Sequence, residues 1–372
     1  KRIMRLEQLT FIRFIAAIAV VIHHFGLKVF PFTTPILYEL FKQGDLGVSF
    51  FFFLSGFVMI IAYQNKKKIN ALNYLKNRFA RIYPVFFLAA VLLLVNKILS
   101  ADGYINLKGF LLHLSMLHAW IPGYQLSYNI ASWTLSVELF FYIIFPFLFN
   151  RFYSKKQLDL KQVALVILAV WLVTQVVLVV LRPNLFFDFP QISFLYDEVL
   201  RLFPLMHLNQ FLVGNLFGIL FLKYGVNSIK NYDLIIIALI LLLLGVLIFN
   251  PGFNLFGGLI LIVFAPLVYL MACNNGVLTK ISNHKILVFL GEISYGIYIL
   301  QYPVQYLSSY LFKVLGLDKI DEGIRFSAML AILILFSSLS YLYLEKPMRD
   351  KIKNTRILTL LKKTNAKLSQ EI

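Results

Sequence analysis

The stretch FIRFIAAIAVVIHHF, residues 11–25, is almost wholly apolar, yet it carries Arg13 and, eleven residues later, His24. At about 100° and 1.5 Å per residue, a helix sets the two within roughly 20° of one face and about 16 Å apart along its axis. Ionisable side chains inside a membrane helix are costly and face protein or water rather than lipid. The pair points to an activity that works across a bilayer. His23 projects about 100° away from His24 and is the weaker candidate.

Working outward, the whole chain has the same character. Of its 372 residues 60% are hydrophobic and 14% charged, and the mean hydropathy is +0.80. These values describe a polytopic membrane protein, not a soluble domain. The net charge of +18 sits in short loops between apolar runs, as the positive-inside rule expects, so it does not signal nucleic acid. A single cysteine, Cys273, excludes an internal disulfide and any cysteine-rich metal site; no metal is expected.

Apolar runs of about 20 residues predict about ten membrane-spanning helices, near 8–27, 46–63, 80–99, 130–150, 162–181, 204–223, 232–249, 255–273, 287–312 and 324–345. The fold class is all-α, a transmembrane helical bundle. Basic residues concentrate before the first run and after the second (Lys66, Lys67, Lys68, Lys76, Arg78, Arg81), the fourth (Arg151, Lys155, Lys156, Lys161) and the last (Lys346 onward). That alternation assigns both termini to the cytoplasm, with the first run as a retained signal anchor. Residues 106–121 are apolar but short, and a further span there would reverse every later loop against the charge bias; a helix lying on or dipping into the outer surface is expected. Residues 182–203 form the longest outward loop. The chain reads as one membrane domain over 1–350, with a basic cytoplasmic tail over 351–372.

With this topology Arg13 lies toward the cytoplasm and His24 toward the outside. Arg78 and Arg81, three apart at the mouth of the third span, share a helix face and can clamp phosphate; alternatively they anchor lipid head groups. Glu138 lies about two turns below the outer end of the fourth span. That depth is comparable with His24, where a carboxylate would fix the imidazole tautomer and support a general base; alternatively, Glu138 joins helices by hydrogen bonding. Asp45 is a further acid candidate. Trp120, Tyr124, Tyr128 and Trp133 could line an outward mouth and stack on sugar rings, or form an interfacial belt.

The blocks RFIAAIAVVIHH (13–24), GDLGVSFFFFLSGFVM (44–59), RFARIYP (78–84), SWTLSVELFFYIIFP (132–146), LGEISYGIYILQYPV (290–304) and YLEKP (343–347) are each loose. Their order and spacing together resemble the acyltransferase-3 family of membrane acyltransferases, which modify surface polysaccharides and other acceptors. The resemblance runs from about residue 5 to residue 350. It implies a protein integral to the bacterial plasma (inner) membrane and surrounded by lipid, with acyl-CoA, usually acetyl-CoA, as cytoplasmic donor and an outward hydroxyl as acceptor. Arg13 and His24 match the family's Arg–His pair, Arg78 and Arg81 its Arg-x-x-Arg motif, Glu138 the acid of its Trp-x-x-Ser-x-Glu block, and Ser55 with Gly56 its Leu-Ser-Gly block.

By that resemblance His24, Glu138 and Arg13 are the catalytic candidates. Arg78, Arg81 and Arg13 would hold the CoA portion, while Asp45, Ser55, Trp133 and Tyr128 would contact the acceptor, a polysaccharide or other carbohydrate. Two departures stand out: Ser49 replaces an acid found in many relatives, and Gln301 replaces a histidine. Gln301 cannot exchange a proton at neutral pH, and Ser49 cannot orient His24 as a carboxylate would, which shifts that duty toward Glu138 or Asp45. The rival readings are a transporter or flippase, which would carry internal repeats and broken helices in corresponding halves, and an acyl-CoA sensor without catalysis.

Overall fold

The computed structural model describes residues 6–99, 106–154, 158–180, 200–249, 255–317 and 319–354. Among them helices form at the predicted apolar runs, with the run at 255–273 interrupted. In chain order they are α1 (Gln8–Phe25), α2 (Pro35–Lys42), α3 (Leu46–Tyr63), α4 (Ala71–Leu99), α5 (Leu107–Leu114), α6 (Trp133–Leu148) and α7 (Leu160–Val180). Then follow α8 (Leu208–Leu220), α9 (Asp233–Phe249), α10 (Leu261–Cys273), α11 (Val277–Ser282), α12 (Lys285–Val314), α13 (Glu322–Ser340) and α14 (Lys346–Asn354). Eight helical segments are long and apolar enough to cross a membrane; α9 and α10, with 17 and 13 residues, are shorter. The architecture is all-helical, with no named strand among the described residues. Most of 182–203, the loop expected to face outward, and of the expected tail 351–372 lies outside the described residues.

Two boundaries differ from the sequence reading for physical reasons. Helix α4 begins at Ala71 rather than near residue 80. Asn70 Oδ1 accepts from the Asn73 amide at 3.0 Å and starts the helix, so the polar turns carrying Lys76, Asn77 and Arg78 are already helical. The run expected at 255–273 is broken. Residues Leu255–Leu259 form a wide turn with Gly258 at φ 109°, and regular helix resumes at Leu261. Irregular backbone at membrane depth must be satisfied by protein, and here it is. The Phe256 carbonyl accepts from Ser49 Oγ (2.9 Å) and Gln210 Nε2 (3.0 Å), that of Gly257 from Gln175 Nε2 (3.0 Å), and that of Gly258 from Trp171 Nε1 (2.9 Å). Ser49 therefore has a donor's task that a carboxylate could not perform.

In segment 106–121, α5 has eight residues, spans only about 12 Å, too short to cross a membrane, and is capped by Asn106 Oδ1 accepting from the Gly109 amide at 3.0 Å. The bundle itself is held by close helix contacts through small residues, the device that replaces hydrophobic exclusion in lipid. A Cβ at Gly56 of α3 would lie 2.1 Å from the Phe211 carbonyl oxygen of α8, and one at Gly291 of α12 only 1.9 Å from the Thr10 carbonyl oxygen of α1. These contacts bring α1, α3, α4, α6 and α12 around one polar interior.

Candidate active site

Arg13 enters this interior from the second turn of α1, Arg78 and Arg81 from α4, and Glu138 from α6. All four line one cavity of about 100 Å³, together with Ser55, Tyr142 and Tyr295. A second cavity, of about 430 Å³, shares Arg13 and Arg81 as walls and extends toward Glu292, Glu345 and Arg349. A third, of about 50 Å³, shares Arg13, Glu138 and Tyr295 and ends on Thr134 and Tyr298. Arg13 is thus common to all three cavities, and Arg81 to the two larger ones. Tyr142 Oη donates to Glu138 Oε2 at 2.9 Å, and Tyr295 Oη donates to the Ile82 carbonyl at 2.6 Å. Three guanidiniums against one carboxylate leave the first cavity with a cationic excess suited to an anion.

Arg78 is held differently from Arg81. Its guanidinium carbon lies 5.4 Å from the Tyr74 ring centroid, 5.8 Å from that of Tyr142 and 6.0 Å from that of Tyr63. This aromatic cage fixes its position by cation–π attraction, and its buried Nε has no hydrogen-bond partner among the described residues.

His24, part-buried near the far end of α1, places Nδ1 2.8 Å from Gln301 Oε1. Gln301 is fully buried, and its Nε2 donates to the Tyr298 carbonyl at 2.7 Å. That second bond fixes which end of the amide faces the histidine. An amide oxygen only accepts, so Nδ1 carries the proton and donates, leaving Nε2 bare. Such a nitrogen can take a proton or attack an acyl carbon. The Tyr302 ring packs 5.3 Å from that of His24, and Tyr298, one turn below Gln301, closes the third cavity.

Two expectations about His24 are therefore corrected. Glu138 lies with Arg13, Arg78 and Arg81 rather than beside His24, because α1 and α6 pack at a depth that matches Glu138 to the Arg13 end. Asp45 faces His23 and Arg201. The group that orients His24 is Gln301.

The remaining candidates separate. Ser55 lines the first cavity. Trp133 is 7% exposed and packs on His207 (5.1 Å) and Phe52 (6.0 Å), offering no open ring face. The Tyr128 ring packs at a tilt 5.0 Å from that of Phe110, and its Oη donates to the Asn106 carbonyl at 3.0 Å, tying down the short α5 segment.

Sequence reading missed Tyr142, whose spacing of four from Glu138 on one helix was the available signal. It also missed a fully buried cluster of His113, His118, Ser132 and Ser136. Ser132 Oγ donates to the Asn129 carbonyl at 2.6 Å and lies 3.2 Å from His113 Nδ1 and 3.1 Å from His118 Nε2. With its one proton spent, it accepts from both imidazoles. Burial pushes the two histidines down to about 3 and about 4, so both are neutral and act as a clasp between the α5 segment and α6.

A family model described as an acyltransferase domain matches residues 6–343. The chain belongs to the acyltransferase-3 family. As a member of that family with eight membrane-length apolar helices, it is an integral membrane protein. It is 32% identical over 154 residues to the acyltransferase MdmB of Streptomyces mycarofaciens, covering 39% of each chain. It is 24% identical over 368 residues to the O-acetyltransferase OatA of Staphylococcus aureus, covering 88% of this chain and 57% of that one. A putative acetyltransferase, ORF330 of Acidianus two-tailed virus, is 25% identical over 301 residues, covering 77% of this chain and 80% of its own. The acyltransferase-3 chain thus spans well under two thirds of the first two relatives' lengths. No solved structure matches it.

Proposed function

We propose that this protein is an acyltransferase that moves an acyl group, acetyl by preference, from acyl-CoA on the cytoplasmic side to a hydroxyl of an extracytoplasmic or lipid-linked polysaccharide. The observation that carries the reading is His24: its tautomer is fixed by Gln301, and it stands beyond a series of wall-sharing cavities that begins at Arg13 and Arg81. The loop charges support placing the arginine end toward the cytoplasm.

In this reading Arg81 and Arg13 hold the anionic and carbonyl portions of the donor, and Arg78, fixed by its tyrosine cage, adds a stationary positive charge. Glu138 and Tyr142 limit the cationic excess and orient the guanidiniums. His24 Nε2 takes the proton of the acceptor hydroxyl as its oxygen attacks the thioester carbon. The C–S bond breaks, an ester C–O bond forms, and the proton passes from His24 to the departing thiolate. A two-step path through an acyl group on Nε2 makes the same demand on His24. A transporter reading lacks support, since the family model describes an acyltransferase domain.

The test uses the full chain in lipid vesicles with acetyl-labelled acetyl-CoA and polysaccharide fragments. The label should appear as an alkali-labile ester on the fragments. CoA release with no ester would refute hydroxyl transfer, and neither product would refute the enzyme reading.

A further inference from the structure

Beyond His24, on the side away from the arginines, α12 carries hydrogen-bonding side chains along one face. Gln301, which bonds His24, is followed by Gln305 four residues on, then by Ser308 and Ser309. At about 1.5 Å per residue this polar row runs roughly 12 Å outward from the histidine contact. It opens into a cavity of about 240 Å³ whose walls include Phe25, Gln305, Ser308, Phe312, Arg325 and Phe326. Phe25 is the residue next to His24, and its ring lies 5.1 Å from that of Tyr302, which also packs on His24. Through Phe25, the wall residue that directly follows His24, the cavity lies next in the chain to the histidine, beyond its far side from Arg13.

We infer that this cavity holds one neutral sugar ring of the acceptor, with a hydroxyl directed at His24; the inference rests on the hydroxyl-acceptor reading above. Three observations select the ligand class. First, the polar groups have capacity to spare: Ser308 Oγ gives its proton to the Gln305 carbonyl at 3.0 Å, and Gln305 Nε2 makes only a long 3.4 Å contact with Ser309 Oγ. Gln305 Oε1 and the Ser309 hydroxyl proton are left to meet hydroxyls of either sense. Second, phenylalanine walls supply the flat apolar surfaces that the C–H face of a pyranose needs, the mixture of apolar wall and few polar groups common to small-ligand sites. Third, the rim is balanced in charge, because Arg325 lies 3.8 Å from Glu322. An uncompensated guanidinium would favour a carboxylate or phosphate; a paired one offers hydrogen bonds to a neutral ligand. Pockets for drug-sized ligands measure about 300–1,000 Å³, so this one suits a single ring with the rest of the polymer outside.

The test is saturation-transfer NMR on the full chain in nanodiscs with neutral methyl pyranosides (glucoside, galactoside, mannoside, N-acetylglucosaminide), methyl glucuronide and glycerol phosphate. At least one neutral pyranoside should give a signal. The signal should fall several-fold in Gln305→Leu and in Ser309→Trp, which fills the cavity from its exposed lip, and survive in His24→Ala. In parallel, acetyl transfer should show the acceptor KM raised about tenfold or more, the effect of losing one or two polar contacts, with the acetyl-CoA KM within about twofold. Equal melting temperatures for the variants and the parent exclude unfolding as the cause. Binding of only the anionic probes, no neutral signal, or neutral signals unchanged in both variants would overturn the assignment. If a neutral pyranoside binds and the variants abolish it while no ester forms, the sugar site stands and the transfer reading falls. If ester forms with unchanged acceptor KM in both variants, the sugar site falls and the transfer reading stands.

Discussion

Replacing Gln301 with alanine removes the 2.8 Å bond that fixes His24 Nδ1 and the 2.7 Å bond to the Tyr298 carbonyl. Each is worth about 0.5–1.5 kcal/mol net, but only the first bears on the chemistry. Without Oε1 the part-buried imidazole is free to carry its proton on Nε2, the nitrogen that must be bare. If the variant's imidazole favours the Nε2–H tautomer by about 1.4–2.7 kcal/mol, the competent fraction, and with it kcat, falls by roughly 10- to 100-fold. Acetyl-CoA binding, which depends on Arg81 of α4 and on Arg13, about 16 Å away from His24 along α1, should change less than about twofold. The assay is steady-state acetyl transfer by the variant in vesicles, with kcat and both KM values resolved. Gln301→Glu supplies an oxygen acceptor at the same place and should recover part of kcat. Rates within about twofold of the parent, or a loss confined to the acetyl-CoA KM, would refute the orienting role of Gln301.

Other consequences are as direct. Arg81→Ala should raise the acetyl-CoA KM about tenfold or more with little loss of melting temperature, whereas Arg78→Ala, which empties a cage of three tyrosines, should lower both affinity and melting temperature; differential scanning fluorimetry beside kinetics separates them. Ser49→Asp should destabilise this chain, because a carboxylate cannot donate to the Phe256 carbonyl that Ser49 satisfies; a melting temperature equal to the parent's would contradict this. His113 and His118 are held neutral by burial, at about 3 and about 4, while unfolded histidines titrate near 6.5. Their neutral forms favour folding above pH 6.5, and the unfolded chain gains protons first as pH falls. Stability should therefore drop between about pH 6.5 and 4, and less steeply in a His113→Asn/His118→Asn double variant.

Much of this fold was legible because apolar runs of membrane length need only hydropathy to be found: helix recurs at the expected runs among the described residues, eight of the segments being long and apolar enough to cross a membrane where ten spans were expected. Arg13, Ser55, Arg78, Arg81 and Glu138 were legible too, and one cavity gathers them. Which acid meets which base was not. The depth of Glu138 against α1 depends on how α6 and α4 pack, and residue counts from loop ends do not capture that. Gln301 was set aside because it exchanges no proton, yet orienting a base requires only an acceptor held in place. The break at Leu255–Leu259 was hidden inside a continuous apolar run, since its supports, Ser49, Trp171, Gln175 and Gln210, come from other helices.

The most direct test of the central claim is acceptor-dependent ester formation from labelled acetyl-CoA by the purified full chain, compared with His24→Ala reconstituted at equal level and equal melting temperature. The account predicts labelled ester with the parent chain and none above background with His24→Ala, while both still bind acetyl-CoA. Ester formation by His24→Ala at the parent's rate would contradict it.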